Sequence, residues 1–361
     1  MSIRVRGAER RARVGRLALA AAIGVSFGST AFVRIARAEI ADSASSVEDA
    51  APSERERPRG LRGDPRAHVV SEIARAKSAG LGRTTPLERG LRIFAATGGC
   101  TCHTNYPGED DAAPELAGGR ALETPFGIYY STNITPDRET GIGGWSQDDF
   151  VRAMREGLSP AREHYFPVFP YTSFTGLADQ DLADLKAYLD SIRAVRRENR
   201  PHDAHLPFSF RPAIAGWKYL NFIPGRIEDD PAQDAATNRG RYLALAAAHC
   251  GECHTPRTVT GGLDRTQWLA GSRDGPEGEL APNITPDEKT GIGDWSITDL
   301  VWYLETGLKP DGDDTQGLMS ELIRHGFANL PRDDREAIAR YLKSVPAIEN
   351  RVEGQEESRE E

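Results

Sequence analysis

The stretch "HCGECHT", His249 to Thr255, places Cys250 and Cys253 three positions apart and sets His254 directly after the second cysteine. An incomplete echo, "GGCTCHT" at Gly98 to Thr104, keeps the histidine and loses one spacer, so Cys100, Cys102 and His103 read C-x-C-H. Outward from these sites the chain repeats itself. "NITPDRETGIGGWSQDD" (Asn133–Asp149) returns as "NITPDEKTGIGDWSITD" (Asn283–Asp299), an offset of 150 residues. Self-similarity at a fixed offset marks a duplicated structural unit.

Each copy predicts the same order of elements. A helical segment, "LERGLRIFAATGG" or "NRGRYLALAAAH", leads into the Cys-His site. A long loop with the repeated block follows, then an amphipathic helix, "DFVRAMREGLSP" or "DLVWYLETGLKP". Each copy closes on a last helix, 179–192 or 332–345. Ser146 with Asp149, and Ser296 with Asp299, have the spacing of a capping box. Trp145 and Trp295 just before those caps read as core aromatics. The G-I-G turns read as backbone positions that use φ > 0. The fold class is therefore all-α, with one unit over 84–195 and another over 237–346. The segment 196–236, rich in proline and aromatics (Phe208, Trp217, Tyr219, Phe222), reads as an ordered connector packed on both units.

The ends read differently. Residues 1–16 carry six arginines, an uncharged run spans Leu17–Val33, and Ala36-Arg37-Ala38 resembles a cleavage site. Residues 1–38 are expected to be a signal peptide or an uncleaved anchor, so the body is expected in the periplasm, with the N-terminus as its link to a membrane. Residues 39–83 read as a flexible spacer with a short helix at 67–80, and 347–361 as an acidic, frayed tail. Residues 1–38 hold eight Arg and one Glu, so 37 basic and 53 acidic residues remain beyond them, a formal charge of −16. Such a body repels nucleic acid.

Four cysteines outside the cytoplasm could form disulfides, but neighbours one or two residues apart gain little from bridging. Zinc wants a fourth ligand at a fixed spacing, and none repeats between the units. C-x-x-C-H is the attachment pattern of a covalent c-type haem. On a helical turn positions i and i+3 differ by about 300°, so Cys250 and Cys253 face one side and can each bond a vinyl group. His254 then reaches the iron. In the first site i and i+2 differ by about 200°, so Cys100 and Cys102 would point apart on a regular turn. The expectation is two haems, the first held through Cys102 alone with His103 as ligand, unless Gly98-Gly99 bends the chain enough to use Cys100.

Electron-passing haems commonly take His plus Met. Met319, expected in the loop before the last helix, is the candidate sixth ligand of the second site. The offset of 150 lands on Phe169 in the first, with Phe166 and Leu177 nearby, and none of these binds iron. Met154 reads as core; His164 is the nearest residue able to bind iron.

These residues, together with "FPYTSFTGL", "NRPHD", "HCGECHTPR" and "LAGSRDGPEGE", make the chain resemble the bacterial two-haem c-type cytochromes, similar to the cytochrome subunits of membrane-bound alcohol and sugar-acid dehydrogenases. The resemblance implies two tandem class I cytochrome c folds over about 84–346, electron transfer from a dehydrogenase donor to a cytochrome or oxidase acceptor, and roles for Cys250, Cys253, His254 and Met319. Whether the chain is itself an enzyme stays open. The competing expectation is a peroxidase-like or small-ligand-binding haem enzyme using an open first haem, and a third is a first unit without haem.

Overall fold

The computed structural model describes residues 84–105, 115–205, 209–273 and 275–352, all within one compact unit that spans 62–361. The expected export segment 1–38, the spacer 39–83 with its helix at 67–80, and the last residues, 353–361, lie outside the described residues.

The first half runs through helix α1 (Pro86–Ala96), a tight 3-10 turn (Gly98–His103), strands β1 (Ala121–Thr124) and β2 (Gly127–Tyr130), helix α2 (Gln147–Glu156), the single turn α3 (Tyr171–Phe174) and helix α4 (Asp179–Ser191). A connector carries β3 (Asp203–Ala204) and α5 (Arg211–Asn221). The second half has α6 (Ala235–Tyr242), which runs on into a π-turn over Leu243–Ala247, then α7 (Cys250–His254), α8 (Ile297–Thr306), α9 (Gly317–His325) and α10 (Arg332–Ser344).

Local chemistry sets these boundaries. Thr85 and Glu88 form a capping box at α1, with Pro86 at its first position. Ser146 with Asp149 and Ser296 with Asp299 do the same at α2 and α8, as their spacing predicts. Both of these helices end on a left-handed glycine, Gly157 or Gly307. In each half the first and last helices cross closely, α1 on α4 and α6 on α10. A methyl on Gly90 would fall 2.0 Å from the Asp184 carbonyl oxygen, and one on Gly240 would fall 1.8 Å from that of Ala337, so only glycine fits at either crossing.

The repeated blocks fold alike. Asn133 is buried; its Oδ1 accepts from Thr135 N and Oγ1, and its Nδ2 donates to Thr140 Oγ1 and the Val195 carbonyl. Asn283 does the same with Thr285, Thr290 and the Ile348 carbonyl. Burying an amide side chain is tolerable here because its donors and acceptor find partners. The G-I-G glycines are not at positive φ, contrary to expectation. They are needed for room: a methyl on Gly141 or Gly291 would lie 2.2 Å from the carbonyl of Thr135 or Thr285.

The fold is mainly helical, but the all-α expectation misses a small antiparallel sheet, β1-β2-β3. Ala121 pairs with Tyr130 and Thr124 with Gly127, and Gly127 pairs with Ala204. The sheet forms because β2 buries Tyr129 against Phe166 and Ile214, a second small core beneath α5. The tail is also corrected at its start. Residues 346–352 are docked, with Ile348 and Asn350 backbone amides donating to Thr285 and Thr290 hydroxyls and Val352 buried. The connector touches both halves, through Ile214 on one side and Trp217 Nε1, which donates to the Thr260 carbonyl, on the other. Its aromatics are not all covered: Tyr219 is 90% exposed.

Candidate cofactor sites

The two Cys-His sites share a framework. His103 Nδ1 lies 2.7 Å from the Thr132 carbonyl oxygen, and His254 Nδ1 lies 2.8 Å from that of Pro282. Each carbonyl belongs to the residue just before the repeated asparagine. This bond fixes the ring and its tautomer, leaving Nε2 to serve as a ligand. Burial holds both rings below the ordinary histidine range, which favours the neutral, metal-binding form. The threonine after each histidine is buried, and its hydroxyl accepts from the Leu116 or Leu269 amide. The amides of Gly118 and Gly271 donate to the histidine carbonyls. "CHT" is thus the legible signal for a buried clamp that sequence reasoning left unused.

No disulfide joins the four cysteines. Burial pushes Cys100 and Cys102 up to about 11 and Cys250 and Cys253 up to about 12, so all four are thiols at neutral pH. The charges of Cys102, Glu252 and Cys250 add to the rise at Cys253, which reflects how near the two sites are. Among the described residues no group of three or more His, Cys, Asp or Glu is disposed to hold a metal ion.

The loops differ where the spacing differs. In the second site one residue, His249, is left-handed (φ 41°), and α7 then carries Cys250, Cys253 and His254 on one regular turn. In the first site Gly98, Gly99 and Cys100 are all left-handed, with φ of 70°, 69° and 50°. Cys100 therefore does not sit on a regular turn, and the chain bends at the glycine pair. The Cys100 thiol lies 3.2 Å from the Thr97 hydroxyl. The glycines also permit a close approach. A methyl on Gly99 would meet the His325 carbonyl oxygen at 2.4 Å, and one on Gly98 would meet a Leu322 methyl at the same distance. So the first site's loop packs on α9, the helix that bears Met319.

The reverse contact closes the seam. Glu252, inside the second motif, accepts from the hydroxyls of Thr172, on α3 of the first half, and Ser173, the latter at 3.0 Å. His249 meets Phe174 edge-on with ring centroids 5.4 Å apart. Arg120 of the first half binds Glu277 and Glu321 of the second. Sequence reasoning missed Glu252, His249 and Arg120, because each makes contacts across the seam that no local pattern encodes.

Met319 does not lie in an open loop. It is half-buried near the start of α9, against the main core. Phe169 stands at the matching place in the first half. The equivalence is fixed by two bonds, from the Tyr165 amide to the Gly157 carbonyl and from the Thr315 amide to the Gly307 carbonyl. Met154 is buried in the core. His164 sits at a bridge with Leu158 whose counterpart is Leu308 with Asp314, so it matches Asp314 and not Met319. Trp145 and Trp295 pack against the core, and Trp295 meets Tyr303 at 5.3 Å.

The residues fit a covalent haem. Each site offers half-buried neutral thiols, a ring with Nδ1 already engaged, and half-buried apolar side chains such as Trp145 and Ile134, or Trp295 and Ile284. The Thr101 hydroxyl and His249 Nδ1, beside the two cysteine loops, are buried without hydrogen-bond partners.

No protein-family model matches the chain. It is 46% identical over 270 residues to a "Diheme cytochrome c-type" of Cereibacter sphaeroides, covering 74% of this chain and 88% of that protein. It is 39% identical to the fructose dehydrogenase cytochrome subunit of Gluconobacter japonicus and 38% identical to the gluconate 2-dehydrogenase cytochrome c subunit of Pantoea cypripedii. Those matches cover 72% and 70% of this chain but only 53% and 58% of the relatives, so the chain spans little more than half their length. The duplicated Cys-His framework and these likenesses agree: the chain has a helical cytochrome fold and belongs to the diheme c-type cytochromes.

Proposed function

We propose that the chain is an electron carrier with two tandem class I cytochrome c domains, 84–195 and 237–346, exported to the periplasm. Each domain holds one covalent c-type haem. Cys250 and Cys253 would anchor the second, and His254 and Met319 are the residues that would hold its iron. Cys102 anchors the first, with His103 as ligand; the contact of Cys100 with Thr97 supports leaving that thiol unbonded. When bound, each haem cycles between ferric and ferrous iron, taking one electron from a donor and giving one to an acceptor. The chain's residues hold the rings and exclude water; no proton need move. By likeness to the named subunits, the donor is a dehydrogenase; the acceptor in this reading is a respiratory cytochrome or oxidase. Among the described residues no helix is long and apolar enough to cross a membrane; the membrane link in this reading is the N-terminus.

The observation that carries this reading is the pair of histidines tied by Nδ1 to equivalent loop carbonyls. The test is to express the chain with haem-attachment machinery, count haems by mass, and record spectra with carbon monoxide. Two haems, with the second indifferent to carbon monoxide, support it; none would end it.

Phe169 favours a second reading for the first site. An aromatic ring in place of Met319's counterpart offers no sixth ligand, which would leave that haem able to bind peroxide or another small molecule. The His164 ring, matched to Asp314 and with Nδ1 unpartnered, is the group this reading assigns to acid–base work there. A high-spin first haem that binds carbon monoxide supports this reading.

A further inference from the structure

We infer that the outer face of α5 docks a neutral apolar surface of the electron-donating dehydrogenase subunit, an inference that rests on the electron-carrier reading above. The helix turns Ile214 inward and leaves Ala213, Ala215, Gly216, Tyr219 and Leu220 exposed. Tyr219 is 90% exposed and Leu220 70%; Ile223, just past the helix, is also exposed. Val259 extends the patch, because its turn is tied to α5 by Trp217 Nε1 on the Thr260 carbonyl and by Thr260 Oγ1 on Asn221. Contiguous exposed apolar surface of this kind marks an interaction site. Its aromatic content and lack of charge are those of an interface core.

Charge decides what kind of partner fits. His205–Ile227 contains no Asp or Glu, in a chain of formal charge −9. Its cations are turned away from the face. Arg211 donates to the His164 carbonyl, Lys218 to those of Glu156 and Gly157, and Arg226 pairs with Asp179. A lipid surface would be held by free Lys or Arg beside the apolar stripe, and here they are engaged. An uncharged protein patch fits instead, and several relatives are named as subunits of dehydrogenases.

Position supports the same occupant. The helix lies over the segment after α2 in the first half, with Lys218 over the Tyr171 ring at 4.6 Å. From its end a line of rings runs inward: Phe222 to Tyr171 at 5.4 Å, Tyr171 to Phe169 at 6.2 Å, Phe169 to Phe174 at 5.8 Å, and Phe174 to His249, beside Cys250, at 5.4 Å. Packed ring pairs at these separations form a continuous apolar line from the end of α5 past the first site to the second.

The test uses the full haem-loaded chain in its own host. A photo-crosslinking residue at Leu220 is expected to capture a dehydrogenase subunit, identified by mass spectrometry. In a separate strain, the double substitution Tyr219→Ser with Leu220→Ser should cut recovery of that subunit with the chain about tenfold or more, since a few central apolar side chains carry most interface energy. Because the face is uncharged, 0.5 M NaCl should change wild-type recovery little, on the order of twofold at most. Unchanged visible spectra and ascorbate reduction show that the variant is folded. A crosslink to a second copy of the chain, binding to phosphatidylethanolamine/phosphatidylglycerol vesicles that the variant abolishes, or undiminished recovery of the subunit would each overturn the inference. A chain without haem would instead overturn the electron-carrier reading, and haem content is measured separately.

Discussion

Cys100 shows how one residue can be read correctly in part. The sequence marks its spacing as wrong for a regular turn, and Gly98-Gly99 as the place where the chain could adapt. What the sequence hides is the partner. The bend is held against His325 and Leu322, more than 220 positions away, and no local pattern encodes that. Two outcomes follow at this scale. Cys100→Ser should keep the first haem, whereas Cys102→Ser should lose it, read by mass of the haem-bearing peptide. Two thioethers on the wild-type peptide would defeat the assignment. Gly99→Ala puts a methyl 2.4 Å from the His325 carbonyl oxygen at φ 69°. It should destabilise the chain by about 2 kcal/mol in urea unfolding, the strain expected where neither backbone nor neighbour can yield.

At the scale of elements, the helices were legible because their signals are local: capping boxes at Ser146 and Ser296, glycine stops at Gly157 and Gly307, and a repeat that states each element twice. The hairpin β1-β2 was not. Among the described residues the matching stretch of the second half has only an isolated bridge, Ser272 with Ala281, and Tyr129 is stabilised by Phe166 and Ile214 from distant segments. The pairing of helices across the halves was equally hidden. Asp334, 1% exposed on its side chain, receives Arg92 from α1 and Arg239 from α6. Burial pushes its carboxyl up, but the two guanidinium groups outweigh that and hold it below the ordinary aspartate range. A depressed folded value adds stability that is fully present above the unfolded pKa, near 4, and is lost as pH falls through the folded value. Asp334→Asn should therefore cost about 2 kcal/mol at pH 7, discounted because both arginines are partly solvated. The deficit should shrink below about pH 4 as the wild-type carboxyl takes up its proton. Denaturant titrations at pH 7 and pH 3 give the comparison, and an equal deficit at both would refute the pairing's role.

For the whole molecule, the repeat states two units and a connector packed on both, and the structure adds one continuous core shared by the two halves. Ile93, Phe94 and Leu185 of the first half belong to the same buried cluster as Leu243, Leu304 and Ile338 of the second. The Tyr242 hydroxyl donates to Asp181 and accepts from the Ala178 amide, tying α6 to the start of α4. Duplicated units that merely share a chain would unfold independently. Units that share a core lose apolar contact on both sides when either opens, at about 25 cal/mol per Å² of newly exposed apolar surface. The chain should then unfold in a single transition, with the spectroscopic signals of both halves changing at one midpoint. Tyr242→Phe, which removes both bonds of the hydroxyl and leaves the Asp181 and Ala178 groups to find water, should lower that midpoint without splitting it. Guanidinium titrations followed at the Soret band and by far-ultraviolet circular dichroism would read this. Two midpoints in the wild-type chain would show that the halves are separable and that the seam between the Cys-His loops contributes little to holding them together.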